Sequence, residues 1–270
     1  MTPFDLFLFS TDTPFIREAV AAGVDGIVVD LERRGKELRQ KGFDTQIGVD
    51  TLEDLIRVRV CTAARILCRT NSFGPGTQAE VELVIEAGAD EVILPMVRRP
   101  QEVEAVLEYV GDRGRVGILV ETTAATQYLP ELSRLPLSRV YVGLNDLAIE
   151  RGKRGIFGAV ADGTVERIRE SFRCAFGFGG LTLPDRGHPI PCRLLIGEMA
   201  RLGCSFGLLR RSFHRDVRGR SLQEEIPRLK HAIELAFERS AAAIGEDRRS
   251  LEQAIHLATT SRAEGEPRLG

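Results

Sequence analysis

The sequence lacks several features that would assign the chain to a particular class of protein. Its net charge is only −2, so no excess of basic residues would attract nucleic acid. The five cysteines are odd in number and contain no C-x-x-C pair, which is typical of reduced, mostly buried thiols. No apolar run approaches the length of a membrane span. We therefore expect no nucleic-acid partner and no membrane association.

A secretory signal is also missing from the N-terminal residues. The segment MTPFDLFLFSTDTPF has no basic region and no cleavage site, and Asp5 interrupts its apolar run. We therefore expect a cytoplasmic protein. At 270 residues the chain is long for one domain but normal for an α/β barrel, and 43% hydrophobic residues are sufficient for a large core.

Strand-like and helix-like patterns alternate through most of the chain. Eight short apolar runs predict strands at residues 4–10, 25–32, 65–70, 91–97, 116–120, 140–142, 177–183 and 205–213. Eight strand–helix units predict a closed (β/α)8 TIM barrel over residues 1–218, followed by C-terminal helices over residues 219–270. Those helices comprise barrel helix eight, which Pro227 is expected to break or restart, and an extension that could pack on a neighbouring subunit. A doubly wound open sheet is the alternative, because strand closure cannot be read from a sequence.

Two carboxylates follow neighbouring strands in the middle of the chain. Glu121 closes the run at 116–120, and Asp146 follows the run at 140–142 after the turn residues Gly143, Leu144 and Asn145. A helical segment separates the strands, so they are parallel and end on the face where α/β folds bind ligands. Two hard oxygen ligands without a soft ligand nearby favour Mg²⁺ or Mn²⁺ over zinc. The alternative is that Glu121 caps the next helix and Asp146 closes a turn.

Five motifs occur in one order along the chain: VDLE at 29–32, RTN at 69–71, GADEVILPMV at 88–97, VET at 120–122 and GLNDLA at 143–148. Together they resemble the HpcH/HpaI aldolase and citrate lyase β-subunit family of metal-dependent carbon–carbon lyases. The resemblance implies a TIM barrel that binds a divalent ion and a 2-oxo acid or acyl-CoA-type substrate. It implies that Glu121 and Asp146 are the metal ligands and that Arg69 steadies the carbonyl oxygen where the enolate develops.

The chemistry of such a reaction agrees with these residue types. Breaking a bond next to a carbonyl leaves a carbanion that survives only as a stabilised enolate. A cation chelated by the 2-oxo acid acts as a Lewis acid, and the planar guanidinium of Arg69 adds a fixed positive charge. Arg69 could instead form a salt bridge with a neighbouring strand-end carboxylate. Pro95 is expected to shape the wall of the substrate site, or simply to end its strand.

One position departs from the family's pattern and leaves the general base open. In the aldolase branch a histidine follows the second-strand acid, whereas this chain has Arg33, which stays protonated and cannot act as a base. The base is then a metal-bound water, Glu32 or a histidine from another loop. The catalytic candidates are Arg69 and Glu32, and the substrate-binding candidates are Arg33, Leu144, Asn145 and Pro95.

Two further regions are candidates for the same site. His188 and His214 follow the seventh and eighth predicted strands. Arg210 and Arg211, with glycines 179 and 180, resemble the phosphate site that barrels build there, although one of the two arginines must point outward. The segment 33–50 is long and basic, so we expect it to select a substrate with a second negative group. A solvated surface loop is the alternative.

The sequence therefore predicts a class II, metal-dependent aldolase or lyase. It would act on a 2-oxo acid or related acidic substrate through a metal-stabilised enolate, as a homo-oligomer. Two alternatives remain, which are a catalytically silent barrel that binds an anionic metabolite and a phosphosugar-binding barrel enzyme without metal. Binding of Mg²⁺ or Mn²⁺ at Glu121 would separate the first hypothesis from both alternatives.

Overall fold

The computed structural model describes residues 4–33, 50–153 and 155–264. In these residues nine parallel strands form one sheet in the order β7-β6-β5-β4-β3-β2-β1-β9-β8. The strands are β1 (Asp5–Phe9), β2 (Gly26–Asp30), β3 (Arg65–Arg69), β4 (Glu91–Leu94), β5 (Arg115–Val120), β6 (Arg139–Val142), β7 (Ala175–Phe178), β8 (Gly180–Leu181) and β9 (Phe206–Leu209). Their order follows the chain, as expected when each crossover returns to the neighbouring position.

Helices follow the strands and cover the outside of the sheet. In the described residues they are α1 (Thr13–Ala21), α2 (Leu52–Cys61), α3 (Thr77–Glu86), α4 (Pro100–Val110), α5 (Leu129–Leu132), α6 (Leu144–Glu150), α7 (Gly158–Ala161), α8 (Thr164–Ser171), α9 (Cys192–Arg201), α10 (Arg211–Asp216), α11 (Leu222–Phe237) and α12 (Ala241–Glu264). Local sequence sets their starts. The Asp12 carboxylate caps α1 by accepting a 3.2 Å bond from the Phe15 N–H, and Thr51 and Asp54 form a capping box at α2.

The two ends of the sheet meet at a single glycine. β7 pairs with β6, β8 pairs with β9, and β9 also pairs with β1. Gly179 alone separates β7 from β8, and its φ of +60° lies in the left-handed region that favours glycine. The predicted seventh strand is therefore one strand with a step, and the ring is closed except at that step. This confirms the (β/α)8 TIM barrel over the open sheet.

The barrel has separate inner and outer cores, because successive side chains of a strand face opposite sides. The inner core consists of Phe7, Val28, Leu67, Ile93, Leu119, Tyr141, Phe206 and Leu208. Two residues farther along each of these strands, the chain reaches the carboxyl-end rim of the barrel. The residues of this rim are Phe9, Asp30, Arg69, Pro95, Glu121, Gly143 and Arg210. The strand register thus assembles the charged layer in which the candidate site lies.

A buried ion pair closes the opposite end of the barrel. Arg139 Nε donates a 2.6 Å hydrogen bond to Glu91 Oε1, and both side chains are almost fully buried. The Arg139 guanidinium carbon lies 4.5 Å from the centre of the Phe7 ring and 4.8 Å from that of Phe206. Ligand access is therefore expected from the rim end.

The C-terminal helices pack on the barrel of the same chain. α11 contacts α1 and α9. α12 contacts α9, forms an Arg248–Glu198 ion pair with it, and buries Leu251 and Ile255. The prediction that Pro227 breaks its helix is wrong, because α11 continues through it with its apolar side buried. The domain boundary at residue 218 and the contact with a neighbouring subunit stay predictions. In the described ranges no helix combines the length and apolar character needed to cross a membrane.

Candidate active site

Glu121 lies on the rim, in the first position after β5. Its side chain is 2% exposed, and its Oε1 accepts a 2.9 Å hydrogen bond from the backbone N–H of Met96. A Cβ at Gly143, the residue after β6, would collide with Glu121 Oε2 and lie 2.9 Å from Glu121 Cβ. Because Gly143 has no side chain, the Glu121 carboxylate can occupy this position.

Met96 presents its N–H through an uncommon backbone conformation. Its φ is +53°, which places a buried, non-glycine residue in the left-handed region. Such conformations persist where the surrounding structure imposes them, frequently at functional sites. Pro95 precedes Met96 and is buried directly after β4. The segment after β4 therefore contacts Glu121 through the Met96 N–H. Contact between Pro95 and a substrate stays a prediction.

Asp146 lies in the first turn of α6, close to Glu121. This helix begins at Leu144, and the Leu147 N–H donates a 3.0 Å bond to the Gly143 carbonyl. Leu144 and Asn145 are therefore helical and not turn residues, which corrects the prediction. Burial, followed by the negative charges of Asp146 and Glu32, raises the pKa of Glu121 to about 8. The three carboxylates thus form one cluster of like charge.

This carboxylate cluster fits a bound divalent cation. Within the described ranges, no group of three or more His, Cys, Asp and Glu side chains has the arrangement of a complete metal site. Glu121 and Asp146 would supply two oxygen ligands, and water and substrate oxygens would complete the shell of Mg²⁺ or Mn²⁺. A cation there would also relieve the repulsion that raises the pKa of Glu121. Metal binding by this pair stays a prediction.

Arg69 lies on the rim at the end of β3 and forms a salt bridge with Asp30 at the end of β2. Its Nε and Nη2 donate to the two carboxylate oxygens of Asp30 at 2.8 and 2.5 Å, and its Nε lies 3.5 Å from Glu32 Oε2. Burial alone would lower the pKa of Arg69, but Asp30 and Glu32 outweigh that effect and raise it. The salt bridge considered as an alternative role is therefore present. It also fixes a permanent positive charge beside Glu121.

A comparison of sequences decides which family this geometry belongs to. The sequence model of the HpcH/HpaI aldolase/citrate lyase family matches residues 4–153, more than half of the chain. The chain belongs to this family. Membership in a family of lyases confirms the resemblance expected from the five motifs, and this family is generally metal-dependent. No curated protein sequence matches the chain.

Solved structures with the same fold include members of the HpcH/HpaI family. An HpcH/HpaI aldolase from Desulfitobacterium hafniense DCB-2 superposes with a TM-score of 0.58 at 13% identity, covering 77% of this chain and 86% of that chain. A family protein from Burkholderia cenocepacia J2315 gives a TM-score of 0.62 at 14% identity, covering 83% and 95%. The citrate synthase SbnG gives 0.60 at 16% identity, covering 80% and 91%. At these identities the likeness shows the fold alone.

Arg33 occupies the position where the aldolase branch of the family has a histidine. Its backbone N–H donates to Asn71 Oδ1 at 3.0 Å, and its Nη2 donates to the Asp50 carbonyl at 2.8 Å. The side chain thus joins the two ends of the segment 33–50. Residues 34–49, to which we assigned substrate selection, lie outside the described residues. Substrate binding by Arg33 stays a prediction.

The two loop histidines have other surroundings in the structure. His214 Nε2 lies 2.6 Å from the Phe9 carbonyl, and its ring packs 5.1 Å from that of Phe15. A carbonyl only accepts, so Nε2 donates to it and is not available as a base. His188 lines a separate surface cleft of about 460 Å³ with Asp185 and Arg193. A role for either histidine in proton transfer stays a prediction.

Sequence reasoning missed two residues of this site, Asp30 and Met96, and the supporting role of Gly143. Asp30 is in the VDLE motif, two residues after the inward-facing Val28, so strand alternation could have placed it on the rim. The conformation of Met96 and the closeness of Gly143 to Glu121 have no sequence signal, because both depend on strands that are distant in the chain. Arg210, considered for a phosphate site, faces the barrel interior, whereas Arg211 begins α10.

Proposed function

We propose that the protein is a divalent-metal-dependent carbon–carbon lyase, a class II aldolase, that acts on a 2-oxo acid through an enolate. The observation that carries this proposal is the buried cluster of Glu121, Asp146 and Glu32 beside Arg69 on the carboxyl-end rim. Like charges concentrated in a buried rim layer are costly for stability alone, which favours a functional reason for them.

Glu121 and Asp146 would hold Mg²⁺ or Mn²⁺. When bound, the cation supplies Lewis-acid polarisation of the substrate's keto group. The Met96 N–H donates a hydrogen bond to the Glu121 carboxylate, and the missing side chain of Gly143 leaves room for it. Glu121 is therefore preorganised as a metal ligand. Pro95, Leu144 and Asn145 flank this pair and would contact the substrate.

Arg69 would stabilise the enolate oxygen. Asp30 engages its Nε and Nη2 and therefore fixes the plane of the guanidinium. A fixed, buried positive charge stabilises developing negative charge without reorganisation during the reaction. Asp30 is then a positioning residue that acts through Arg69.

Glu32 is our candidate for the group that holds or returns the proton. It is 1% exposed, its charge contributes to the raised pKa of Glu121, and its Oε2 lies 3.5 Å from Arg69 Nε. Its carboxylate is therefore close to the enolate-stabilising arginine and acts on the metal-ligand candidate Glu121. The engaged Nε2 of His214 and the separate cleft of His188 favour Glu32 over both histidines.

The direct test is exchange of the pyruvate methyl protons with D2O, followed by NMR with Mg²⁺ or Mn²⁺. Wild-type protein should catalyse exchange, and EDTA, Glu121→Gln and Glu32→Gln should each abolish most of it. The exposed Glu131→Gln variant is the matched control and should retain exchange. Exchange that is insensitive to both EDTA and Glu121→Gln would contradict the metal-dependent mechanism.

A further inference from the structure

The Asp50 side chain binds the backbone at the end of β2, on the rim that carries the candidate site. Its Oδ2 accepts a 2.9 Å hydrogen bond from the Asp30 N–H. The next N–H, that of Leu31, donates to the Arg69 carbonyl on the β3 side, so the Asp30 N–H points to the side of β1. The pairing of β1 with β2 ends two residues before Asp30. Asp50 therefore supplies the acceptor that β1 no longer provides there.

The start of α2 and two side chains fix the position of Asp50. Asp50 directly precedes Thr51, which begins α2 with a capping box. The Thr11 hydroxyl donates to Asp50 Oδ1 at 3.4 Å, and Arg33 Nη2 donates to the Asp50 carbonyl at 2.8 Å. The acceptor for the Asp30 N–H is thus held from several directions.

Arg33 connects the same part of the backbone to the segment after β3. Its N–H donates to Asn71 Oδ1 at 3.0 Å, in addition to the contact of its guanidinium with Asp50. The Asn71 amide is itself oriented, because its Nδ2 donates to Glu80 Oε1 at 2.8 Å. The backbone is therefore bonded at residue 30 and again at residue 33, on either side of Glu32. We call Arg33, Asp50 and Asn71 the Asp50 network.

Asp30 passes this backbone position on to the groups of the candidate site. Its carboxylate accepts from Nε and Nη2 of Arg69, and its Oδ1 also accepts a 3.2 Å bond from the Glu32 N–H. A rotation of the backbone at Asp30 would therefore turn the guanidinium plane and move Glu32 at the same time. Misplacement of a catalytic group by about 1 Å can cost about 100-fold in rate.

We propose that Asp50 and Arg33 are positioning residues, which act through the Asp30 backbone to orient Arg69 and Glu32. This inference rests on the proposed function, since it takes Arg69 as the group that stabilises the enolate. It also gives a physical reason for the departure from the family's pattern at position 33. The arginine there donates to a carbonyl and stays protonated, so it holds the backbone in place of transferring a proton.

The test removes the acceptor at Asp50 or keeps it. Asp50→Ala loses the carboxylate, whereas Asp50→Asn retains an oxygen that can accept the Asp30 N–H. In the pyruvate exchange assay, Asp50→Ala should lower kcat by about tenfold and change KM by less than about twofold, and Asp50→Asn should stay within about threefold of wild type.

Asp25→Ala is the matched control for the loss of a carboxylate that binds a strand N–H. Asp25 Oδ2 accepts from the Leu6 N–H at 2.8 Å, and Asp25 directly precedes β2, at the opposite end of the barrel from the rim. This variant loses a bond of the same kind away from the candidate site. It should therefore leave kcat unchanged.

A second readout follows the Arg69 guanidinium without turnover. The Arg69 Nε–H, which donates to Asp30, gives an NMR signal that is assigned by its loss in Arg69→Lys. Exchange of this proton with water should be faster in Asp50→Ala by about tenfold, and close to the wild-type rate in Asp50→Asn and Asp25→Ala.

Arg33→Met tests the network in a protein that keeps the Asp50 carboxylate, should Asp50→Ala fail to fold. It should lower kcat by about threefold at unchanged KM, and Arg33→Lys, which can still donate to the Asp50 carbonyl, should restore part of the loss. A rise in KM alone would show substrate binding by Arg33 and overturn its positioning role.

The outcomes separate this inference from the proposed function. An unchanged kcat in Asp50→Ala, or equal losses in Asp50→Ala and Asp50→Asn, would overturn the inference and leave the lyase proposal intact. An equal loss in Asp25→Ala would show a general effect of stability and would also overturn it. If wild-type protein catalyses no exchange of pyruvate protons, the proposed function fails. The Arg69 signal then tests the network alone, and an unchanged exchange rate in Asp50→Ala would overturn it.

Discussion

The backbone N–H of Met96 and the Oε1 of Glu121 form a 2.9 Å hydrogen bond between the ends of two neighbouring strands, β4 and β5. The donor residue has a φ of +53°, and the acceptor is a buried carboxylate whose pKa is raised to about 8 by burial and by its negative neighbours. A backbone conformation that is costly for methionine thus orients one metal-ligand candidate.

Replacing Met96 should reveal that cost. Both Met96→Ala and Met96→Gly lose the buried side chain, but glycine adopts a positive φ without a Cβ clash. We expect the glycine variant to be more stable than the alanine variant by about 1 kcal/mol. Denaturant unfolding measures the difference. At Val103, buried within α4, the same two substitutions should show the opposite order. If alanine is the more stable residue at both positions, the backbone at Met96 is not strained.

Gly143→Ala should displace the Glu121 carboxylate. The new methyl group would collide with Glu121 Oε2, so either this side chain or the chain after β6 must move. We expect a destabilisation of about 1–3 kcal/mol and a weaker affinity for Mn²⁺, by about tenfold. Gly158→Ala is the control, because a Cβ there meets no atom within 4 Å. Wild-type Mn²⁺ affinity in Gly143→Ala, measured by calorimetry, would contradict the close approach.

The stability of the metal-free protein should depend on pH through Glu121. Its pKa is raised in the folded state, so its contribution to stability is complete below the ordinary glutamate pKa and is lost as the pH rises through about 8. In EDTA, the wild-type free energy of unfolding should fall across this pH range relative to Glu121→Gln, by about 1.4 kcal/mol per pH unit. Asp112→Asn, which removes one exposed negative charge, should follow the wild-type profile. Parallel profiles for wild type and Glu121→Gln would refute this prediction.

Arg69→Lys should lower turnover much more than substrate binding. Lysine keeps the charge but cannot reproduce the fork that Asp30 orients. In the pyruvate exchange assay we expect kcat to fall by about 100-fold or more, with a smaller change in KM. Asp30→Asn keeps Arg69 and should reduce kcat less, because it only loosens the position of the guanidinium. Equal losses in kcat and affinity for Arg69→Lys would indicate a role in substrate positioning alone.

Much of the fold was available from the sequence. Short apolar runs and helix start signals are local patterns, and their alternation predicted the (β/α)8 barrel. The five ordered motifs predicted the family. The positions of Glu121 and Asp146 after neighbouring strands followed from the same alternation, because parallel strands end on one face. The prediction at Pro227 failed for a tertiary reason, since packing of the apolar face of α11 outweighed the intrinsic effect of proline.

Only the tertiary structure decided how the candidate site is assembled. Asp30 and Arg69 are 39 positions apart, and Met96 and Glu121 are 25 apart, so their hydrogen bonds depend on strand register. The step at Gly179, the space beside Gly143 and the inward direction of Arg210 likewise depend on where neighbouring strands meet. The amino-acid sequence by itself determined which chemical groups reach the carboxyl-end rim, because side-chain alternation is local. Which groups touch was decided by the pairing and register of neighbouring strands, because these bring residues distant in the chain within a few ångströms.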